Sequence, residues 1–102
     1  RRTHDVATHI GLAEVAHRQE DHVSAVEILG ALKARHPGDS NVEIAWVHSL
    51  IRAGQKKDAM YAAVACLKAH PTDRNALLAC AAAAEALGMV ERAREWRDKA
   101  LG

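Results

Sequence analysis

The sequence contains the stretch His36-Pro37-Gly38-Asp39 and repeats it in altered form as His70-Pro71-Thr72-Asp73, which defines a 34-residue period. Other residues recur at the same distance along the chain. They form the series Ala25, Ala59 and Ala93, and the pairs Asn41 and Asn75, Ala45 and Ala79, Gly54 and Gly88, and Leu67 and Leu101. A fixed period of this length is typical of proteins built from stacked repeats. The recurrence therefore predicts a repeat architecture.

The composition favours helices over strands. Of 102 residues, 22 are alanine, 49% are hydrophobic, and the aromatic side chains are limited to one Tyr and two Trp. Alanine is the best helix former, whereas strands favour β-branched and aromatic residues, which are scarce here. We therefore predict an all-α fold in which helix backbones approach closely over small side chains.

Local signals divide the first half of the chain into helices. Asp5 is suited to cap the first helix, because its carboxylate can accept hydrogen bonds from amides of the first turn. A second helix is expected from about His22 until just before Pro37, since proline disfavours helical geometry at the preceding residue. Ser40 and Glu43 have the spacing of a capping box and predict the start of a third helix.

Similar signals continue in the second half. Gly54 permits a tight turn between the third and fourth helices, and Pro71 ends the fourth. Asp73 opens the fifth helix and Gly88 separates it from the last, at about 89–101. The last helix is strongly charged, which suits the water-facing surface of a terminal unit in a stacked array.

Helical hairpins with this period that end in proline resemble the tetratricopeptide repeat (TPR). In this register the small residue of the tightest helix crossing is Ala25, Ala59 and Ala93, the turn glycine is Gly54 and Gly88, and the terminal proline is Pro37 and Pro71. Glu20 takes the glycine position in the first unit. The resemblance covers nearly the whole chain. It implies a right-handed α-solenoid of three antiparallel helix pairs, six helices in all.

The resemblance implies a single TPR-like domain over 1–102, with repeats at approximately 5–38, 39–72 and 73–102. The amino-terminal residues Arg1-Arg2-Thr3-His4 include neither an initiator Met nor an apolar signal core. We therefore interpret the chain as a fragment of a longer protein.

Members of the TPR family usually bind a peptide on the concave face, which the first helix of each unit lines. Carried over by position, the predicted groove residues are Ile10, Glu14, His17, Arg18, Asn41, Ile44, His48, Ile51, Arg52, Asn75, Leu78 and Glu85. Ile10, Ile44 and Leu78 would form an apolar ladder, and Arg18 and Arg52 a basic rung. The alternative is that this ladder packs against another part of the full-length protein or fills a narrow superhelix.

Charge and motifs weigh against several other functions. The chain has 14 basic and 13 acidic side chains, so no basic excess predicts nucleic-acid binding, and no apolar run predicts membrane insertion. The sequence contains none of the GxSxG, HExxH, CxxC or phosphate-loop motifs, although Glu14, His17 and His48 could meet in the groove. The seven histidines include no pair four residues apart, so we predict no metal site and no cofactor.

Cys66 and Cys80 could form a disulfide or a redox pair, or they could be small buried packing residues. Their spacing matches neither a zinc nor a thioredoxin-like pattern, and cysteine is among the most buried residue types. We favour the packing interpretation.

These observations predict a protein–protein interaction module, not an enzyme, that holds a protein or peptide on its concave face. It would be one module of a larger scaffold or assembly, and the alanine-rich, divergent repeats suggest a bacterial one. The alternative is a structural domain that self-associates or packs against a neighbouring domain, such as a glycosyl- or sulfotransferase. The sequence leaves the partner and the compartment open, with a cytoplasmic location slightly favoured.

Overall fold

The computed structural model describes residues 2–102, and their side chains from residue 5 onward. This part of the chain contains six α-helices and no strand. They are α1 (Arg2–Arg18), α2 (His22–Arg35), α3 (Ser40–Arg52), α4 (Lys56–Ala69), α5 (Arg74–Ala86) and α6 (Val90–Leu101). The predicted all-α fold with six helices is therefore confirmed.

The first helices of the second and third units are capped in the same way. One carboxylate oxygen of Asp39 accepts hydrogen bonds from two first-turn amides of α3, at 3.0 and 3.4 Å. Asp73 does the same for α5, at 2.8 and 3.4 Å. The predicted capping box of Ser40 and Glu43 is wrong, because Asp39 supplies the cap and Ser40 is already the first helical residue.

The beginning of α1 also differs from the prediction. The helix starts at Arg2, so Asp5 lies within it and is not its N-cap. The carboxylate of Asp5 instead reaches the end of α2, where it accepts a hydrogen bond of 3.0 Å from Nε2 of His36. The side chain that was expected to begin a helix therefore joins two helices.

The three turns within the hairpins share a left-handed residue. Gly54 and Gly88 have φ of 82° and 79°, and Glu20 has φ of 60° at the equivalent place in the first unit. A residue with a Cβ adopts this conformation at a cost of about 1–2 kcal/mol. The first turn therefore keeps the shape of the other two with a less suitable residue.

The helices form two layers. In the described residues α1 contacts α3 and α3 contacts α5, whereas α2, α4 and α6 make no such contacts with one another. Instead α2 packs against α1 and α3, and α4 packs against α3 and α5. Because the first helices lie side by side and the second helices are spread apart, the array curves with the first-helix layer on its concave side.

Small residues fill the space between the layers. Ala25, Ala59 and Ala93 occupy equivalent positions in the second helices, and each is at most 1% exposed. Trp46 of α3 packs against both of the two larger buried clusters. A Cβ added to Gly30 of α2 would lie 3.2 Å from the Trp46 ring, so this contact requires a small residue.

Both cysteines are free and buried. The Sγ of Cys80 donates a hydrogen bond of 3.2 Å to the carbonyl oxygen of Ala63. Burial raises the pKa of Cys66 and of Cys80 to about 11, so both thiols are protonated at neutral pH. Thiols in this state are poor nucleophiles and poor metal ligands.

Candidate functional site

Predicted groove residues from two units line one cavity between α1 and α3. The cavity has a volume of about 200 Å³. Its lining residues are Ile10, Ala13, Glu14, His17, Leu29, Ala45, His48, Ser49 and Arg52. Five of these belong to the predicted groove, namely Ile10, Glu14, His17, His48 and Arg52. We call this cavity the α1–α3 pocket.

His17 forms the inner wall of the α1–α3 pocket and is only 5% exposed. Its Nε2 lies 2.7 Å from Oγ of Ser49 on α3, and its Nδ1 lies 2.7 Å from Nδ1 of His22 on α2. Burial, and then the positive charges of Arg52 and His22, lower the pKa of His17. A neutral His17 ring therefore joins three helices, α1, α2 and α3.

The sequence prediction placed His17 on an open groove and did not include Ser49 or His22 in the site. A weak signal was present for Ser49. In the 34-residue register its counterparts are Val15 and Ala83, so a hydroxyl stands where the other units have an apolar side chain. A buried hydroxyl requires a partner, and His17 provides it.

Ser49, His17 and His22 have the connectivity of a nucleophile, a base and an orienting group. The surroundings of Ser49 do not suit acyl transfer, which needs free N–H donors beside the nucleophile. Ser49 is 2% exposed and lies inside α3, where the backbone amides are engaged in helical hydrogen bonds. We therefore interpret these three side chains as a structural link between helices.

Glu14 lies between the two arginines of the predicted basic rung. Its Oε1 accepts a hydrogen bond of 2.8 Å from Arg52 on α3, and its Oε2 lies 3.8 Å from Nε of Arg18. The hydrogen bond from Arg52 is the main cause that lowers the pKa of Glu14. The three side chains together carry one net positive charge at the mouth of the α1–α3 pocket.

The other predicted groove residues lie outside the α1–α3 pocket. Ile44 and Ile51 are half-buried and pack against the central cluster around Val47, Leu50 and Ala79. They therefore contribute to the stability of the fold as well as to its inner surface.

On α5, Leu78 is half-buried and Asn75 is exposed, as is Asn41 on α3. Glu85 is exposed and accepts a hydrogen bond of 2.7 Å from Arg97 of α6. Asn41 and Asn75 occupy equivalent places in the first turns of their helices, so the polar pair that the sequence predicted is free to contact a ligand.

A larger cavity, of about 670 Å³, lies between α1 and the α2–α3 loop. It is lined by Val6, Asn41 and the segment 35–39. Beside it the carboxylate of Asp5 contacts His36 and His9, both at 3.0 Å. The hydrogen bond from His36 is the main cause that lowers the pKa of Asp5.

The described residues include no group of three or more His, Cys, Asp or Glu side chains placed to hold a metal ion. Nor is any helix within 2–102 both long enough and apolar enough to cross a membrane.

The stacked hairpins and the inner layer of first helices define a helical-repeat protein with a TPR-like fold. No protein-family model matches the chain, and no curated protein matches it either. A solved structure titled "MamA MSR-1 C2" is similar to it, with a TM-score of 0.71 and 21% sequence identity over 93% of this chain. The match covers 55% of that chain, so this chain spans about half its length. At this identity the likeness establishes the fold alone.

Proposed function

We propose that the protein is an interaction module that binds a peptide or a segment of a partner protein along the layer formed by α1, α3 and α5. The observation that carries this proposal is the α1–α3 pocket, where residues from two units form one concavity. Its floor is apolar at Ile10 and Ala45, and its mouth is polar at Glu14, His48 and Arg52. Sites with an apolar floor and a few polar groups are typical of ligand recognition.

The charges at the mouth indicate the chemistry of the ligand. Glu14 is paired with Arg52 at 2.8 Å and with Arg18 at 3.8 Å, which leaves one positive charge uncompensated among the three. An acidic side chain of a ligand can share the two guanidinium groups or displace Glu14 from them. We therefore propose that the segment carries an acidic residue where it passes the pocket.

The inner layer also offers groups that recognise an extended backbone. Asn41 and Asn75 are exposed in the first turns of α3 and α5, and their amides can donate to and accept from a peptide. Half-buried Ile10, Ile44 and Leu78 add apolar surface along the same layer. Together these groups support binding of a partly apolar, partly acidic segment without strict sequence specificity.

Binding suits these side chains better than catalysis. Of the three residues that could have formed an acid–base group, Glu14 is held by Arg52, and both ring nitrogens of His17 are engaged. His48 is exposed on the same pocket. A general base needs a free nitrogen or oxygen directed at its substrate, and His17 has none.

The test begins with selection of binders from a displayed library of random 12-residue peptides. The selected peptides are then titrated into ¹⁵N-labelled protein. We expect enrichment of peptides with acidic and aliphatic residues, and shift changes concentrated on α1, α3 and α5. His48→Asp combined with Arg52→Glu should weaken binding by about tenfold or more, because it reverses the charge at the pocket mouth.

Both substituted residues are exposed, but Arg52 also bonds to Glu14 of α1, so the unfolding midpoint of the variant is measured beside its affinity. Ile44→Asp is a poorer probe, since Ile44 packs against the central cluster. The matched control is Lys57→Glu with Tyr61→Asp on α4, where both residues are exposed on the second-helix layer. If the control weakens binding as much as the pocket variant, or if shifts map to α2, α4 and α6, the concave face is not the binding surface.

A further inference from the structure

The outer face of α1 carries residues whose counterparts in the other units are covered. The face consists of Thr8, Gly11, Leu12 and Val15. In the 34-residue register their counterparts on α3 are, in the same order, Val42, Ala45, Trp46 and Ser49. Their counterparts on α5 are Ala76, Ala79, Cys80 and Ala83. The four residues of α5 are fully buried, whereas Leu12 is 51% and Val15 46% exposed. We call Thr8, Gly11, Leu12 and Val15 the α1 end face.

The counterparts of Leu12, at the centre of the α1 end face, contact the second helix of the preceding unit. On α3, the Trp46 ring lies against Gly30 of α2, where an added Cβ would be 3.2 Å away. On α5, Sγ of Cys80 lies 3.2 Å from the carbonyl oxygen of Ala63 on α4. The Leu12 position of two successive first helices therefore packs on a second helix, which indicates what fits Leu12 itself. Ser49, the counterpart of Val15, is instead bonded to His17 of α1.

The covering helices share a stripe of aliphatic and small residues. The stripe is Val26, Leu29 and Gly30 on α2, where Lys33 takes its last position, and Met60, Ala63, Val64 and Leu67 on α4. Its spacing of three, four and seven residues is that of one face of an amphipathic helix. A Cβ added to Gly11 would meet no atom within 4 Å, so a helix could approach the α1 end face closely.

The opposite end of the array is different. In the register of Val26, Leu29, Gly30 and Lys33, α6 carries Arg94, Arg97, Asp98 and Leu101. Arg94 and Asp98 are exposed, and Arg97 is bonded to Glu85 at 2.7 Å. Stacking a second copy head to tail would bury these charges against Leu12 and Val15, which is unfavourable without partners.

A two-fold contact between two α1 end faces is also disfavoured. A stable protein–protein interface buries about 1,200–2,000 Å² in total. The α1 end face is one side of a single helix and offers two exposed large apolar side chains, Leu12 and Val15. A second copy would add only its own Leu12 and Val15 to this contact, whereas a helix with the α4 stripe would add the equivalents of Met60, Val64 and Leu67.

We propose that the α1 end face docks one amphipathic helix from outside residues 2–102, with an aliphatic and small stripe like that of α4. The docked helix would cover Leu12 as α4 covers Cys80, and would shield the neighbouring Val15. This surface is distinct from the α1–α3 pocket, which uses Ile10, Glu14 and His17 on another side of α1. The proposal places the further helix at the amino-terminal end of the array, where Leu12 and Val15 are exposed.

The test supplies such a helix at high effective concentration. A second copy of residues 19–38, which contains α2 alone, is fused in front of residue 5, so that the added α2 precedes α1 in the 34-residue register. A short tether gives an effective concentration in the millimolar range. We expect amide hydrogen exchange across 8–15 of the original α1 to slow by about tenfold or more, because burial of one leucine side chain is worth at least that factor.

Two substitutions make the test specific. In the fusion, Leu12→Asp in the original α1 should remove the added protection, whereas Tyr61→Asp, on the exposed side of α4, should retain it. In the 102-residue protein Leu12→Asp should leave the unfolding midpoint and the affinity for groove-binding peptides nearly unchanged. This last measurement separates failure of the end-face proposal from failure of the groove proposal.

Unchanged exchange in the fusion would overturn the proposal, and so would full protection in the presence of Leu12→Asp. Light scattering of the 102-residue protein tests whether the α1 end face binds a second copy instead. A concentration-dependent dimer that Leu12→Asp dissociates would assign the α1 end face to a second copy instead.

Discussion

The junction between the first and second units adds polar side-chain bonds to its apolar contacts, whereas the junction between the second and third consists of apolar side chains, many of them small. In the first junction His17 bonds to Ser49, and Glu14 bonds to Arg52. In the 34-residue register the pair His17 and Ser49 corresponds to Ile51 and Ala83. The pair Glu14 and Arg52 corresponds to His48 and Ala86. The same fold is therefore joined in two ways at equivalent positions.

The second junction depends on close contact. Ala63 of α4 and Ala79, Cys80 and Ala83 of α5 are all fully buried in one cluster. Small side chains let the helices approach, and the interior has no room for added volume. The polar bonds of the first junction leave the α1–α3 pocket beside them, so the junction that is less tightly packed is also the candidate binding site.

The largest expected effect comes from added side-chain volume at equivalent positions of the two junctions. Ala79→Leu should destabilise the protein by about 1–3 kcal/mol or more, because three added carbon atoms must enter a fully buried contact. The matched variant is Ala45→Leu, at the equivalent position of the first junction. Ala45 is half-buried and lines the α1–α3 pocket, so the added atoms have space and the cost should be much smaller.

Urea denaturation of both variants measures this difference. A protein of 102 residues is expected to have a free energy of unfolding of only about 5–15 kcal/mol, so a loss of this size moves the midpoint clearly. Equal losses for Ala45→Leu and Ala79→Leu would show that the two junctions are equally tight.

A smaller effect is expected from the buried hydrogen bond between His17 and Ser49. Ser49→Ala leaves Nε2 of His17 buried without that partner and should cost about 1–3 kcal/mol. His17→Leu should have a similar cost, because it strands the hydroxyl of Ser49. The double variant should lose less than the sum of the two, since both polar groups are replaced together.

A double-mutant cycle by urea denaturation, with helix content followed by circular dichroism, gives the coupling energy. The control in the second junction is Ile51→Leu with Ala83→Gly, at the equivalent positions, where no hydrogen bond joins the side chains. Strictly additive losses for His17 and Ser49 would mean that the bond contributes nothing to the first junction.

The architecture was predictable because it is repeated. The fixed period that separates Pro37 from Pro71, and Gly54 from Gly88, places equivalent groups at equivalent points of each hairpin. Asp73 was predicted to open α5 and does so through its carboxylate. Patterns of this kind depend on neighbours within a few residues, which the sequence displays directly.

The same register brought five predicted groove residues to one cavity, yet it did not predict their partners. His17 was expected to face a ligand, and it is instead buried against Ser49, which lies 32 residues away. Asp5 was expected to cap a helix, and it binds His36, which lies 31 residues away. A polar side chain can serve a local or a distant partner, and only the packing of helices decides between them.

The counterpart of His36 shows how far the repeats diverge. His70 stands one repeat further along, at the end of α4, and its buried Nε2 has no hydrogen-bond partner among the described residues. The residue equivalent to Asp5 in the second unit is Asp39, which is used to cap α3. One acidic residue therefore has two different functions in successive units, and the repeat pattern alone does not distinguish them.

The smallest expected effect is a difference between the two junctions in how their stability depends on pH. Burial, Arg52 and His22 lower the pKa of His17 in the folded protein, and only the carboxylate of Glu14 opposes this. The unfolded chain therefore binds a proton at His17 more readily than the folded one. Stability should be fully present above about pH 6.5, the ordinary pKa of histidine, and should fall as the pH is lowered through that value.

Carboxylates add a second loss at lower pH. The pKa of Asp5 and of Glu14 is lowered by hydrogen bonds from His36 and Arg52, so their contribution is present above about pH 4 and is lost below it. The His17 loss begins as the pH falls through about 6.5, well above the pH of about 4 at which the carboxylate loss begins. The loss between pH 7.5 and 5.5 therefore reports on the histidines, and the loss between pH 4.5 and 3 reports on the carboxylates.

Thermal unfolding between pH 7.5 and 5.5 measures the first window in the wild type and in the His17→Leu, Ser49→Ala double variant. Since the chain has seven histidines, the informative quantity is the difference between the two proteins. The double variant should lose less stability on acidification, because the titrating ring of the first junction has been replaced. Parallel losses in the two proteins would mean that His17 does not make the first junction more sensitive to acid than the second.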